Sequence, residues 1–428
     1  MEASENTYIL QGAKATSSSA PFTISKPEEQ TQSELSPEDT KQLIDSATNR
    51  NIATSNLHET GFNYVNSIIG SGVIGIPYAL RRAGFGLGVI LLIAIAVFTD
   101  YSLCVLIKAG NLAGVSTYQD LVEAAFGKWG FYLLTVIQFI YPFIAMISYN
   151  VIIGDTATKV FRRVLGEIEF DGFVLFEFIA SPFTEDAFSF TSDGITEAIG
   201  IIAFAYMCHH NSFLLYESLE NPTQTRWNRV THISLAISCM IVLTFGIAGY
   251  VTFTGFSQGD LLENYCLTDD LSNLIRLFFT ITIMLTYPIE CFVVREVLEN
   301  ALWAGKAPNT KSHNILLTAI IVASAFLLST LTDCLGIVLE LNGILAAVPL
   351  AYILPAATYL RLDHGRLFTW QNLPTFLLVL FGILVAICGT ILAFFNVMNG
   401  VSCSHGVEMP YCSDSPSYPM LTLNQTKF

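Results

Sequence analysis

Charged residues are scarce in this sequence. Only 13% of its 428 residues are Asp, Glu, Lys or Arg, whereas a soluble globular domain carries about 25%. So few charged side chains cannot cover a water-soluble surface of this size, and 52% of the residues are hydrophobic. The net charge of −15 also argues against a nucleic-acid-binding protein, because such proteins are usually basic.

The common catalytic and zinc-binding motifs are missing from the sequence. It has no P-loop, no H-E-x-x-H stretch and no G-x-S-x-G stretch, so we predict neither an enzyme nor a catalytic residue. No pair of its nine cysteines has zinc-finger spacing. Six cysteines lie in or beside apolar runs, where they behave as small hydrophobic residues. The other three lie in polar segments and could oxidise: Cys266, Cys403 and Cys412.

Long apolar runs alternate with short polar loops between residues 57 and 400. A helix needs about 20 mostly apolar residues to cross a bilayer, and such long runs do not fit the short alternating strands of a membrane barrel. The sequence therefore predicts an all-α polytopic membrane domain at 57–400. Its nine predicted spans are roughly 60–80, 86–107, 131–154, 195–216, 231–254, 271–293, 314–333, 336–359 and 374–397.

The segments that flank this domain are polar. Residues 1–56 have few core-forming side chains, so we predict a disordered N-terminal tail; residues 401–428 form a C-terminal tail. If the N-terminus is cytoplasmic, the inner segments hold 13 Lys and Arg and the outer ones hold 7. The positive-inside rule thus predicts a cytoplasmic N-terminus and an extracellular C-terminus, and we expect the plasma membrane.

Two modifications are expected in the C-terminal tail. Asn424 begins an Asn-Gln-Thr acceptor for glycosylation, in the segment predicted to be extracellular. Cys403 and Cys412 are close in sequence and would face an oxidising space, so we predict a disulfide between them. Two free thiols are the alternative.

The first predicted span is unusually rich in glycine and small polar residues: Asn63, Asn66, Ser67, Gly70, Ser71, Gly72, Gly75 and Pro77. Non-helical backbone at membrane depth is tolerated only where it is buried in protein or lines a cavity. A break near 67–72 would free amide groups for a carboxylate and carbonyl groups for a cation. The alternative is close helix packing through small residues. The stretch also matches G-x-G-x-x-G, but a dinucleotide site needs a preceding strand.

Polar residues also cluster in the fourth and sixth spans. The segment 208–212 (CHHNS) makes the fourth span irregular near its inner end, and a broken first span paired with such a span indicates an inverted-repeat transporter. In the sixth span, Thr282 and Thr286 lie one turn apart on one face and could offer oxygen atoms to Na⁺. Alternatively, each hydroxyl bonds to its own helix. Glu290 is expected at the inner interface.

Five motifs occur in order along the chain: 66–79 (NSIIGSGVIGIPYA), 141–150 (YPFIAMISYN), 208–213 (CHHNSF), 252–256 (TFTGF) and 333–343 (DCLGIVLELNG). They resemble the amino acid/auxin permease superfamily and, within it, the sodium-coupled neutral amino acid transporters. The resemblance covers about residues 58–412. It implies a leucine-transporter-like bundle of two inverted five-helix repeats plus an eleventh span.

The resemblance also implies symport of Na⁺ with a neutral amino acid such as glutamine. In relatives, an asparagine of the first span and a threonine of the family's eighth span help to bind Na⁺. The matching residues here are Asn66 and, in the sixth predicted span of this shorter chain, Thr286, with Thr282 beside it. The backbone at Gly70–Gly72 would receive the substrate carboxylate, facing Phe204 and Cys208. The implied substrate-binding set is therefore Ser67, Gly70, Ser71, Gly72, Phe204 and Cys208.

The sequence departs from this family in one respect, since it predicts nine spans where the family has eleven. The difference falls between Phe161 and Ile195, where the family has the fourth and fifth helices of its first repeat. The first repeat is thus predicted to be truncated. Two alternatives to a transporter stay open: a transport-inactive relative that acts as an amino acid sensor or regulator, and a channel.

Overall fold

The computed structural model describes residues 55–165, 184, 187–303, 311–331, 334–363, 369–398 and 409–412. These residues form helices, with no strand beyond an isolated bridge between Ser55 and Leu219. The helices are α1 (Leu57–Ile68), α2 (Ile76–Ala83), α3 (Phe85–Ala113), α4 (Tyr118–Val164), α5 (Ile195–Ala205), α6 (Ser212–Ser218), α7 (Gln224–Phe253), α8 (Asp270–Trp303), α9 (Lys311–Ser329), α10 (Leu335–Asn342), α11 (Leu354–Leu362) and α12 (Leu373–Met398).

Eight helical segments among the described residues are long and apolar enough to cross a membrane. They correspond to the second through ninth predicted spans, counting α5–α6 and α10–α11 as one segment each. The first predicted span is present as α1 and α2, which are too short to cross singly. The all-α polytopic fold predicted from the sequence is therefore confirmed.

The first span is broken where its glycines predict a break. Asn56 caps α1: its side chain accepts hydrogen bonds from the backbone amides of His58 and Glu59, each at 3.0 Å. The helix ends at Ile68, and a 3₁₀ turn at Ser71–Gly75 leads into α2. This discontinuity confirms the break predicted near residues 67–72.

The fourth span is broken as well. α5 ends at Ala205, residues 206–208 leave the helical conformation, and a 3₁₀ turn at His209–Asn211 leads into α6. The polar residues at this position therefore interrupt the helical segment, which resumes at Ser212 as α6.

α4 contains two helices in one. Gly127 has φ 67° and ψ −162°, a conformation that favours glycine because it has no Cβ. The residues before it form a short helix with Asp120 in its first turn, and the residues after it form the membrane span. A straight helix of 47 residues would measure about 70 Å, far more than a bilayer of about 30 Å requires.

The centre of the bundle contains the broken spans and the α10–α11 segment. The backbones of α5 and the π-helical turn Gly343–Ala347 touch: a Cβ on Gly343 would lie 1.9 Å from the carbonyl oxygen of Gly200. Trp227 on α7 is fully buried and donates from Nε1 to the carbonyl oxygen of Leu103 at 3.2 Å. These contacts make the interior close-packed around the breaks.

The outside of the bundle is apolar. α8, α9 and α12 expose many large hydrophobic side chains, among them Phe278, Leu285, Ile315 and Phe394. A water-facing surface would not tolerate so large an apolar area. These side chains are therefore the lipid-facing surface of a membrane protein.

The predicted pairing of Cys403 with Cys412 is wrong, because Cys412 forms a disulfide with Cys266. The 3₁₀ turn Pro410–Cys412 packs onto the loop before α8, where the hydroxyl of Tyr411 donates to the carbonyl oxygen of Asn264 at 2.7 Å. These contacts bring the two sulfur atoms together across 146 residues of sequence. Cys403, Asn424 and the predicted tail 1–54 lie outside the described residues.

Candidate functional site

The two broken spans, α4 and α8 enclose a cavity of about 590 Å³. Eight of the nine residues predicted to bind substrate or Na⁺ line it: Asn66, Ser67, Gly70, Ser71, Gly72, Phe204, Thr282 and Thr286. The cavity extends from Leu262, in the loop between α7 and α8, to Glu290 on α8. Residues that are more than 200 positions apart in sequence thus share one wall.

Hydrogen bonds and close packing hold the two breaks together. The side-chain amide of Asn211 donates to Ser67 Oγ at 3.0 Å, and the hydroxyls of Tyr64 and Ser212 lie 3.1 Å apart. A Cβ added to Gly72 would lie only 2.8 Å from the Cα of Ala205. Glycine at this position allows the two spans to approach at the cavity wall.

The first break leaves backbone amide groups without helical partners. The first hydrogen bond of the 3₁₀ turn runs from the Val73 amide to the Gly70 carbonyl oxygen at 3.2 Å. The amides of Ser71 and Gly72 precede it and are not used by the turn. Free amides at the start of a helical segment favour an anionic group such as a carboxylate.

Both threonines of α8 bond to their own helix. Thr282 donates to the Phe278 carbonyl oxygen at 2.9 Å, and Thr286 is 3.1 Å from the carbonyl oxygens of Thr282 and Ile283. This is the alternative that the sequence left open. It does not exclude a cation, because a hydroxyl whose hydrogen points at a carbonyl still presents oxygen lone pairs elsewhere.

Tyr149 on α4 lies near both groups of candidate residues. It lines the cavity together with Ser71, in the first break, and Thr286, on α8, and its side chain is close to both of theirs. Sequence reasoning did not select this tyrosine for a site. A tyrosine flanked by polar Ser148 and Asn150 inside a predicted membrane span is the signal that would have found it.

Cys208 is the predicted site residue that does not face the cavity. Its side chain is fully buried, and its carbonyl oxygen accepts from the amide of Asn211 and the hydroxyl of Ser212, each at 3.2 Å. These bonds stabilise the second break at a residue that does not line the cavity. His210 and Asn211 take the place at the cavity wall that was predicted for Cys208.

Glu290 lines the same cavity as Thr286, which it follows by one helical turn. α8 continues for 13 residues beyond it to Trp303, which is about 20 Å of helix. Its expected position at the inner interface stays a prediction.

A charged network closes the α2 end of the bundle. Glu197 on α5 accepts from Arg82 Nε at 2.5 Å and from the Tyr78 hydroxyl at 2.7 Å. Arg81 donates to the Ser257 carbonyl oxygen at 3.1 Å. These bonds fix the second half of the first broken span against the start of the second.

The loop between α7 and α8 covers the Leu262 end of the cavity. Asp260 caps its 3₁₀ turn by accepting from the Leu262 amide at 2.8 Å. Burial and, to a smaller extent, Glu263 raise the pKa of Asp260 to about 7, against the lowering effects of the Leu262 amide, Lys159 and Arg276. This carboxyl group therefore titrates near neutral pH.

Comparison with known proteins identifies the family. The model of the family described as "Transmembrane amino acid transporter protein" matches residues 53–184 and 178–397. The chain belongs to this family. It is therefore a member of a transporter family and not an enzyme. The two matched pieces meet at residues 178–184, inside the interval where two family spans are predicted to be missing.

Individual relatives match along most of their length. A Danio rerio protein named "Putative sodium-coupled neutral amino acid transporter 11" is 40% identical over 410 residues, covering 85% of this chain and 91% of the relative. Its Rattus norvegicus namesake is 43% identical over 399 residues, covering 82% and 87%. "Vacuolar amino acid transporter 2" of Saccharomyces cerevisiae is 27% identical over 433 residues, covering 87% and 90%.

Proposed function

We propose that this protein is a secondary active transporter that couples Na⁺ to the symport of a neutral, glutamine-like amino acid. The observation that carries the proposal is the shared cavity. Free backbone amides of one broken span, hydroxyls of α8 and the wall of the second broken span meet there. This is the arrangement that binds amino acid and cation together in transporters with discontinuous helices.

The substrate carboxylate would bind at the amides of Ser71 and Gly72, because these donors precede the 3₁₀ turn. Phe204 and Ser67 would flank it. The lining contains no Lys or Arg among the described residues, so nothing there offers a basic partner to an acidic substrate side chain. Asn211 and His210 supply polar groups that suit an uncharged amide.

Na⁺ would bind between Asn66 and the hydroxyl oxygens of Thr286 and Thr282. Tyr149 gives a physical route for coupling, since it lines the cavity close to both Ser71, beside the substrate amides, and Thr286, beside the cation. An ion that fixes Thr286 would also restrict Tyr149 and, through it, Ser71. Ordering the substrate site in advance lowers the entropic cost of binding.

We propose a plasma-membrane location with a cytoplasmic N-terminus and an extracellular C-terminus. The Lys and Arg bias of the loops supports this orientation. The disulfide between Cys266 and Cys412 also supports it, because disulfides persist on the oxidising side of a membrane.

Uptake of labelled glutamine by cells that express the full chain tests the proposal, with Na⁺ and with choline as the cation. We expect saturable, Na⁺-dependent uptake that is lost in Asn66→Ala and retained in Asn63→Ala, a matched asparagine outside the cavity lining. Surface labelling shows that each variant reaches the membrane.

The same measurements separate the two alternatives. Saturable binding of glutamine without uptake, by protein shown to be at the surface, would replace the transporter with a sensor or regulator. Uptake that rises linearly with glutamine concentration would indicate a channel. A wild-type chain that neither binds nor transports glutamine would sink the proposal.

A further inference from the structure

Glu290 differs from most of the other partly or fully buried acidic residues of the helices, which are paired; Glu340 on α10 is also buried without an ion pair among the described residues, but it does not line the cavity. Glu197 is paired with Arg82, Asp270 with Arg163, and Asp100 with His232. By contrast, no described residue forms an ion pair or a hydrogen bond with Glu290. The proposed binding of substrate and Na⁺ does not use this residue either.

Glu290 has no positively charged side chain of Lys or Arg beside it in the cavity lining that the structure describes. Tyr141 and Tyr149 on α4 lie within electrostatic range of its carboxylate, and His210 is the other titratable side chain on the cavity wall. On its own helix, Thr286 lies one turn before it and uses its hydroxyl hydrogen within the helix. Among the described residues, the cavity lining contains no Lys or Arg.

An ionised carboxylate is costly in such a place. Inside a membrane protein, a charged group without a partner loses its hydration and gains nothing in exchange. Intramembrane carboxyl groups therefore pair with a cation or carry a proton, and they mark ion pathways. The opening of Glu290 to the cavity, rather than to packed side chains, makes a mobile cation the partner that the site can accept.

We propose that Glu290 is a cation-binding residue of the cavity, whose carboxylate takes up a monovalent cation, Na⁺ or a proton, at the end of the cavity opposite Leu262. The inference rests on the proposed function in one respect, that the cavity is the transport path. It adds a second cation position to that of Asn66 and Thr286. Each transport cycle would then move, or exchange, one monovalent cation at Glu290 in addition to the Na⁺ bound at Asn66 and Thr286.

Labelling with a hydrophobic carbodiimide tests the inference without requiring transport. Such reagents modify protonated carboxyl groups in apolar surroundings, and a bound Na⁺ or loss of the proton prevents the reaction. The full chain in liposomes is labelled at several pH values and Na⁺ concentrations, with choline as the balancing cation. Mass spectrometry of the peptide that contains Glu290 gives the labelled fraction.

Two results support the inference and identify the cation. Labelling that falls at least about fivefold when Na⁺ replaces choline at constant pH identifies Na⁺. Labelling that falls as the pH rises, and is unaffected by Na⁺, identifies a proton. Absence of labelling at Glu290, or labelling that responds to neither Na⁺ nor pH, overturns the inference.

Two Glu→Gln variants test the inference in uptake measurements. Glu290→Gln keeps the shape of the side chain and removes its charge, and Glu296→Gln makes the same change at an exposed position six residues later on α8. If uptake occurs, we expect Glu290→Gln to change the Na⁺ or pH dependence of uptake and Glu296→Gln to leave both as in the wild type. An identical response of the two variants would contradict the inference.

The two proposals fail separately. A chain that takes up no glutamine but shows Na⁺-protected labelling of Glu290 would refute the symport and keep the cation site. A chain with Na⁺-dependent glutamine uptake whose Glu290 is inert to the reagent, and whose Glu290→Gln variant behaves as the wild type, would keep the symport and refute the cation site.

Discussion

Gly72→Ala is the substitution with the clearest predicted effect on the cavity. The added Cβ would lie 2.8 Å from the Cα of Ala205 and 2.9 Å from Cδ1 of Phe204. The first of these is a backbone atom, so the second broken span has to move by several tenths of an ångström. Overpacking of this kind costs about 1–3 kcal/mol.

The same free energy sets the expected loss of binding. If glutamine binds only when the two breaks are in their present contact, a cost of about 1–3 kcal/mol weakens its affinity about 5- to 150-fold. Saturation binding and initial uptake rates measure this loss. Gly154→Ala on α4 is the matched control, because a Cβ there meets nothing within 4 Å and the residue does not line the cavity.

Comparing the two alanine variants tests whether the contact between the broken spans is needed for glutamine binding. Gly72→Ala that binds and transports as well as Gly154→Ala would show that the contact between the broken spans is not needed. If the chain proves inactive, thermal unfolding in detergent provides the same comparison. Equal midpoints for Gly154→Ala and Gly72→Ala would then refute the packing argument itself.

Three further predictions concern the contacts around the cavity. Ser67→Ala and Asn211→Ala should each destabilise the protein, because the two side chains share one hydrogen bond worth about 0.5–1.5 kcal/mol. The double variant should therefore lose less stability than the sum of the two single losses. Shifts of the unfolding midpoint that simply add would contradict this. The pKa of Asp260 is about 7, above that of an aspartate in the unfolded chain, so its stabilising contribution is present at acidic pH and is lost as the pH rises through 7. Asp260→Asn should make the unfolding temperature depend less on pH between acidic and neutral conditions. An unchanged dependence of the unfolding temperature on pH would refute the assignment of this pKa. Cys412→Ser should make the thiol of Cys266 reactive to maleimide and cost about 2–4 kcal/mol; an unreactive Cys266 would argue against the disulfide.

The first break could be predicted from sequence because its cause is local. Three glycines within six residues, at Gly70, Gly72 and Gly75, weaken a helix whatever surrounds it. The second break has no such composition. Segment 206–208 contains neither glycine nor proline, and its position is held by Ser212, which donates to the Cys208 carbonyl oxygen and is itself 3.1 Å from the Tyr64 hydroxyl of the first broken span. Only the packed structure contains that information.

The predicted disulfide was wrong because it relied on proximity along the chain. Cys412 was assigned to Cys403, nine residues away, whereas packing of Tyr411 on Asn264 selects Cys266. The deciding quantity was a distance in three dimensions that the sequence does not encode locally.

The disulfide between Cys266 and Cys412 constrains the topology by parity. Two cysteines can bond only on the same side of a bilayer, and the described chain between them contains four helical segments able to cross it, an even number. Cys334, which is also disulfide-bonded, lies after the second of these four, so parity places it on the same side. The five free cysteines lie within or between helical pieces of the membrane spans: Cys104, Cys208, Cys239, Cys291 and Cys388. Oxidation state thus reports sidedness independently of loop charge, and a membrane-impermeant reducing agent applied to intact cells would determine which compartment that side faces.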